Sequence, residues 1–194
     1  MYIIGSDKPY FDDEIIVPAT ITEDIFHYAV HEGLAYQTSH HVDVANGATM
    51  SISFKTPNTD MQLHTLVSFW SEGEAIFKIR EAPTMDTDGT IHPANNRWRA
   101  GTPNTTTVLD NSTGSWVAGN CTIDATVLAG GNIINGGGEG EQIGVGKFSG
   151  GSVDAAHEWV LESDTEYCFE FLNGTVLANE MSIGLSWFEV PNAQ

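Results

Sequence analysis

A two-residue alternation of apolar and polar side chains governs what this chain can fold into. Met50, Ile52 and Phe54 alternate with Ser51, Ser53 and Lys55, and Phe77 and Ile79 alternate with Lys78 and Arg80. Tyr167, Phe169 and Phe171 share one face, with Glu166 and Glu170 on the other. Met181, Ile183, Leu185 and Trp187 alternate with Ser182, Gly184 and Ser186. Successive side chains of a strand point to opposite faces of a sheet, so each stripe predicts a half-buried strand. Further apolar segments occur at 63–69, 123–128 and 157–161. The turn-forming pairs Asn46-Gly47, Pro57-Asn58, Asp88-Gly89 and Asn173-Gly174 punctuate the pattern. Only 23–35, with Ile25, Ala29 and Leu34, has helical character. The expectation is an all-β fold, a β-sandwich or jelly roll, with helix confined to a turn or two.

The length, 194 residues, suits one domain, and 41% hydrophobic residues suffice for a core. Residues 1–24 read as an arm, because Pro9, Pro18 and the run Asp12-Asp13-Glu14 break any helical pattern. Within it, Ile15, Ile16 and Val17 suit a short strand, added either to a partner or to this domain. Residues 25–194 then form a single sandwich domain. The stretch 129–152 is crowded with glycine, which has no side chain to bury and loses much entropy on ordering. It is expected to be a long mobile loop rather than backbone packed closely on a partner.

Charge narrows the partners. Twenty-six acidic residues against seven Lys plus Arg give a net charge of −19. Such a surface repels nucleic-acid phosphates and anionic lipid, so neither nucleic acid nor membrane is an expected partner. It also repels itself, and at about 1 M salt the Debye length falls to roughly 3 Å, so high salt should relieve the strain. A halophilic source and an ordinary acidic protein both fit. The N-terminal stretch has neither the basic start nor the apolar run of a secretory signal. Cys121 and Cys168 are far apart in sequence and form no CxxC, and Cys168 reads as a small buried apolar group.

Candidate chemical motifs fail at particular residues. Gly146-Lys147 is followed by Phe148 where a phosphate loop needs Ser or Thr, and Glu141 stands where its first glycine belongs. Asp86-Thr87-Asp88-Gly89 opens like a calcium loop, but its twelfth position is Arg97, so it reads as an Asp-Gly turn. His27 and His31 are spaced i, i+4 without H-E-x-x-H, and these and His40-His41 read as ordinary hydrogen-bonded histidines rather than zinc ligands. No catalytic residue, cofactor or metal is expected. The nearest candidates for a general acid are Glu158 beside Trp159 and Glu189 beside Phe188. Both read as outward, solvent-facing residues of strands, so changing either to Gln should alter little. Among five Trp residues, Trp187 is expected in the core. Trp98, flanked by Arg97 and Arg99, is expected to be exposed and is the best candidate for ligand contact. The sequons at Asn104, Asn111, Asn120 and Asn173 read as plain Asn/Thr-rich loops.

Four blocks carry a resemblance: HEGLAYQTSHHVDVANGATMSISFKTP (31–57), HTLVSFWSEGEAIFKIREAP (64–83), DGTIHPANNRWR (88–99) and EWVLESDTEYCFEFLNGTVLANEMSIGLSWFE (158–189). Together they cover about half the chain and are similar to capsid decoration (cement) proteins encoded near the major capsid gene of tailed viruses of bacteria and archaea. The glycine-rich stretch and the strong acidity depart from that group. The resemblance implies a β-sandwich seated on the outside of the virion shell, bound to the major capsid protein and without an active site. A homotrimer would match the threefold positions of an icosahedral shell, with Ile15, Ile16 and Val17 as the expected contact. The rival classes are a carbohydrate-binding head-fibre or receptor-binding sandwich, marked by exposed aromatics along a groove, and a glycan-acting enzyme, marked by a pocket with two converging carboxylates.

Overall fold

The computed structural model describes residues 25–100, 104–110, 115–144, 148–150 and 158–191. The arm at 1–24, with Ile15, Ile16 and Val17, lies outside the described residues, as do Gly146-Lys147.

The first element among the described residues is a short helix, α1 (Ile25–His31). It ends where Gly33 turns to φ 71°, and Leu34 N–H and Gly33 N–H donate back to Ala29 O and Val30 O. That paired closure satisfies carbonyls left open at a helix end, and a side chain would strain the positive φ.

Among the described residues all other regular structure, apart from one short 3-10 turn, is strand, and every pairing is antiparallel. In order these are β1 (Ala35–Val44), β2 (Thr49–Lys55), β3 (Met61–Ser71), β4 (Ala75–Thr87) and β5 (Thr90–Pro93). Next come the short β6 (Asn95–Asn96), β7 (Leu109–Asp110) and β8 (Val117–Ala118), then β9 (Asn120–Ile123) and β10 (Thr126–Ile133). The last are β11 (Glu141–Ile143), β12 (Phe148–Gly150), β13 (Glu158–Leu161), β14 (Glu166–Asn173) and β15 (Asn179–Pro191). One sheet runs β12-β3-β15-β1-β6, with β13 also on β3. The other runs β10-β4-β14-β2-β7-β8, with β11 on β4, β9 on β2 and β5 on β9.

The two sheets face each other in an all-β, sandwich-like stack, and the alternating stripes read from the sequence are its inner faces. Leu63, Val67 and Phe69 of β3 and Met181, Ile183, Leu185 and Trp187 of β15 come from one sheet. Met50, Ile52 and Phe54 of β2, Phe77 and Ile79 of β4, and Tyr167, Phe169 and Phe171 of β14 come from the other. Their rings meet across the gap: Phe69 on Phe77 at 4.5 Å and Phe54 on Trp187 at 5.9 Å between centroids. Large buried aromatics of this kind dominate core energetics. A second, small cluster lies on the outer face, where Phe26, Val30 and Leu34 cover Ala35 and Phe188.

The glycine-rich stretch departs from expectation. Its described part is no free loop: β10 pairs with β4 along 80–87, and β11 pairs with β4 along 75–77. Close packing explains the glycine. A Cβ at Gly131 would lie 3.0 Å from Glu81 O, and one at Gly140 would lie 2.7 Å from Phe77 O. Both residues also have positive φ, 74° and 89°. Here the backbone itself is the packing surface, a use of glycine that composition does not separate from flexibility.

Candidate functional site

Strand β15 places one polar residue at each end of its inward stripe. The stripe reads Asn179, Met181, Ile183, Leu185, Trp187, Glu189, and each of the six is at most 2% exposed. Glu189 was read as solvent-facing, and the structure corrects this: it is 1% exposed. The reason is parity. A residue two beyond Trp187 shares its face whatever its charge.

Burying a carboxylate is costly unless its lone pairs are filled. Here neutral donors fill them. Thr106 Oγ1–H donates to Oε1, and Thr107 N–H donates to Oε1 at 3.0 Å and Oε2 at 3.2 Å. Thr107 Oγ1–H donates to Oε2 at 2.9 Å, and the Trp187 indole N–H reaches Oε1 at 3.3 Å. Glu189 thus latches the 104–110 segment onto the core. Nearby, burial first and the Glu189 charge second raise the Tyr36 phenol well above its ordinary range. Tyr36 stacks on Trp187 and donates to Gly33 O.

At the other end the groups are carboxamides. Asn173 is 1% exposed, and its Nδ2 donates to Val44 O, Ala45 O and Leu177 O at 2.8–3.1 Å. Its Oδ1 accepts from Thr175 N–H and Oγ1–H. Asn179 Nδ2 donates to Ser71 Oγ, and its Oδ1 accepts from Gly73 N–H at 2.7 Å. Three loops, β1–β2, β3–β4 and β14–β15, are tied together by these two side chains. The sequon reading of Asn173 as a plain loop residue is therefore corrected. Asn120 sits in β9, Asn104 is exposed, and Asn111 lies outside the described residues.

Glu158 points outward as expected, but it is half-buried rather than solvent-facing, and it is hydrogen-bonded to His64 Nδ1 at 2.7 Å. The histidines hold hydrogen bonds between elements: His40 to Asp124 at 2.9 Å, His41 to Glu180 at 2.8 Å, and His92 to Ser39 O. His27 and His31 stack on one side of α1, with their Nε2 atoms 2.7 Å apart. Among the described residues no group of three or more His, Cys, Asp or Glu is arranged to hold a metal ion. Asp88-Gly89 links β4 to β5, with φ 77° at the glycine.

The nominated ligand-contact trio is only partly open. Arg97 is exposed, but its guanidinium lies 4.7 Å from the centre of the Phe26 ring. Trp98 is half-buried rather than exposed, placed beside Gly33, and Arg99 is exposed. Trp116, not singled out by sequence, is more open, with Lys55 Nζ 5.4 Å over its ring. Cys121 and Cys168 are free, buried thiols, and burial raises both well above the ordinary thiol range. Burial thus disfavours the reactive thiolate form of both. Among the described residues no helix is long and apolar enough to cross a membrane.

No protein-family model matches the chain, and no characterised protein or solved structure is detectably similar to it.

Proposed function

We propose that this chain is a structural, non-enzymatic virion protein that decorates and stabilises the outer surface of an icosahedral capsid. The observation that carries most weight is the treatment of buried polar groups. Glu189 and the Asn173–Asn179 pair tie loops at both ends of β15 into the core. Such construction suits a passive piece that must hold its shape on a lattice. Glu158 is bonded to His64, so both carboxylates nominated as acids are engaged within the fold. The resemblance suggested by the four sequence blocks points to the same role, and the net charge of −19 suits an outer surface facing solvent. The partner is the major capsid protein, the oligomer is a homotrimer, and the arm at 1–24 makes the attachment through Ile15, Ile16 and Val17.

The test is reconstitution. Purified protein is mixed with empty shells assembled from a tailed-virus major capsid protein and imaged by electron microscopy. Regular added density on the shell exterior is expected, with much less when residues 1–20 are deleted. Undecorated shells with the intact chain would overturn the proposal. Full decoration by the truncated chain would move the contact away from the arm.

A further inference from the structure

The outer face of the β3-β15-β1 sheet carries a groove that neither the core nor the end networks use. Its floor is one cross-strand row, Ser68–Gly184–Ser39, fixed by strand register. On one side stands the next row outward, in which Trp70 and His41 flank Ser182. The Trp70 and His41 rings lie nearly parallel, 20° apart with centroids 6.4 Å apart, and Glu180 holds the imidazole at 2.8 Å. On the other side stand Ser186 and Gln37, and the β1 edge is bounded by His92 and Asn95. The groove, about 300 Å³, is lined by Gln37, Ser39, Ser68, His92, Asn95 and Ser186, and Trp70 and His41 stand one row beyond this lining.

Its shape comes from the missing side chain at Gly184, where a Cβ would meet Ser68 Oγ at 2.6 Å. Its chemistry comes from what lines it. The side chains of Gln37, Ser39, Ser186 and Asn95 make no hydrogen bond within the described chain. Each can donate and accept. One row away is the stacked Trp70–His41 pair. Free hydroxyl and carboxamide groups, with an aromatic border one row away, suit a polyhydroxylated ring. Strands lie about 4.8 Å apart, so the row spanning β3, β15 and β1 is roughly 10 Å long, room for about two sugar units. Glu180 and Asp43 near the His41 end, and the charge of −19, disfavour an anionic chain.

We infer that this groove binds a neutral, hydroxyl-rich glycan, with Trp70 as the stacking platform and Ser39, Ser186 and Gln37 as hydrogen-bonding partners. This binding function is separate from shell attachment and stands or falls independently of it. The test is isothermal titration calorimetry of the whole chain against soluble neutral tetrasaccharides: β-1,4-glucan, α-1,4-glucan, β-1,3-glucan, mannan and chitin fragments. An oligogalacturonate serves as the anionic control. The variants are Trp70→Ala, which removes the platform, and Ser39→Tyr, which fills the floor at an exposed strand position tolerant of an aromatic residue. Binding to at least one neutral fragment is expected, weakened about tenfold or more by either variant at unchanged melting temperature. If Trp70→Ala impairs folding, Ser39→Tyr decides. No heat with any neutral fragment, binding of the anionic control alone, or binding that a folded variant leaves intact would overturn the inference.

Discussion

At one end of β15 the inward polar group is the carboxylate of Glu189, and at the other it is the carboxamide of Asn179 beside Asn173. The difference follows from what each end must satisfy. Around Glu189 the neighbours are all donors: two hydroxyls, a backbone N–H and an indole N–H. Around Asn173 the neighbours include three backbone carbonyls left open by loops, which need a donor. A carboxylate accepts without donating, and a carboxamide does both. Each end therefore carries the side chain whose hydrogen-bonding pattern complements its surroundings, and exchanging them should fail in both directions.

The largest loss is expected from Glu189→Ala. It leaves the donors of Thr106, Thr107 and Trp187 buried without an acceptor, a cost of about 4 kcal/mol in urea unfolding. A loss below about 1 kcal/mol would show that water or rearrangement replaces the carboxylate. Next is Asn173→Asp, which turns a carboxylate toward the oxygens of Val44, Ala45 and Leu177. About 3 kcal/mol should be lost near neutral pH. The introduced carboxyl would be held protonated more tightly in the folded than in the unfolded chain. The loss should therefore shrink as pH falls through its folded-state value. A pH-independent loss would point to packing instead.

Salt separates local from global electrostatics. Raising KCl from about 0.1 M to about 2 M should raise the melting temperature, because the charge of −19 is screened. The Glu189→Ala penalty should stay within about 0.5 kcal/mol over that range, since its partners are neutral and buried. A flat melting temperature would remove the case for a high-salt source. The smallest effect is expected at Glu166, a half-buried carboxylate lacking such donors. Burial first and repulsion from Asp88 second raise its pKa, against a lowering by Lys55. A carboxyl raised in this way favours the fold while protonated, and that contribution is lost as pH rises through the folded-state value. Glu166→Gln should therefore raise the melting temperature slightly at pH 7, by the equivalent of about 0.5 kcal/mol. The gain should vanish below the ordinary carboxylate range, and destabilisation at pH 7 would reverse the assignment.

Much of the architecture was legible because strand parity is local. Four alternating stripes predicted the inner faces, and Trp187 and Cys168 are buried as read. The same parity placed Glu189 inward, but its charge outweighed parity in the reading, and the stripe was not extended back to Asn179. Their partners, Thr106, Thr107 and the β1–β2 and β3–β4 loops, are distant in sequence, so nothing local signals that they are satisfied. The glycines at 131 and 140 were misread for a similar reason: their need for close backbone approach is set by β4, about fifty or sixty residues earlier. The groove beside Trp70 was invisible because it depends on the register between β1, β15 and β3. Trp98 looked exposed between two arginines, but α1 and Gly33 lie beside that segment.

The structural role is tested most directly at Glu189, the buried carboxylate an enzyme would use and a scaffold would lock. Wild type and Glu189→Gln are compared in urea unfolding and on a panel of glycan and ester substrates. We predict no turnover by the wild type, and a loss of about 2 kcal/mol in the variant, because Gln turns an N–H₂ toward donors. Turnover by the wild type that disappears in Glu189→Gln, at unchanged unfolding free energy, would contradict the structural account and make this chain an enzyme.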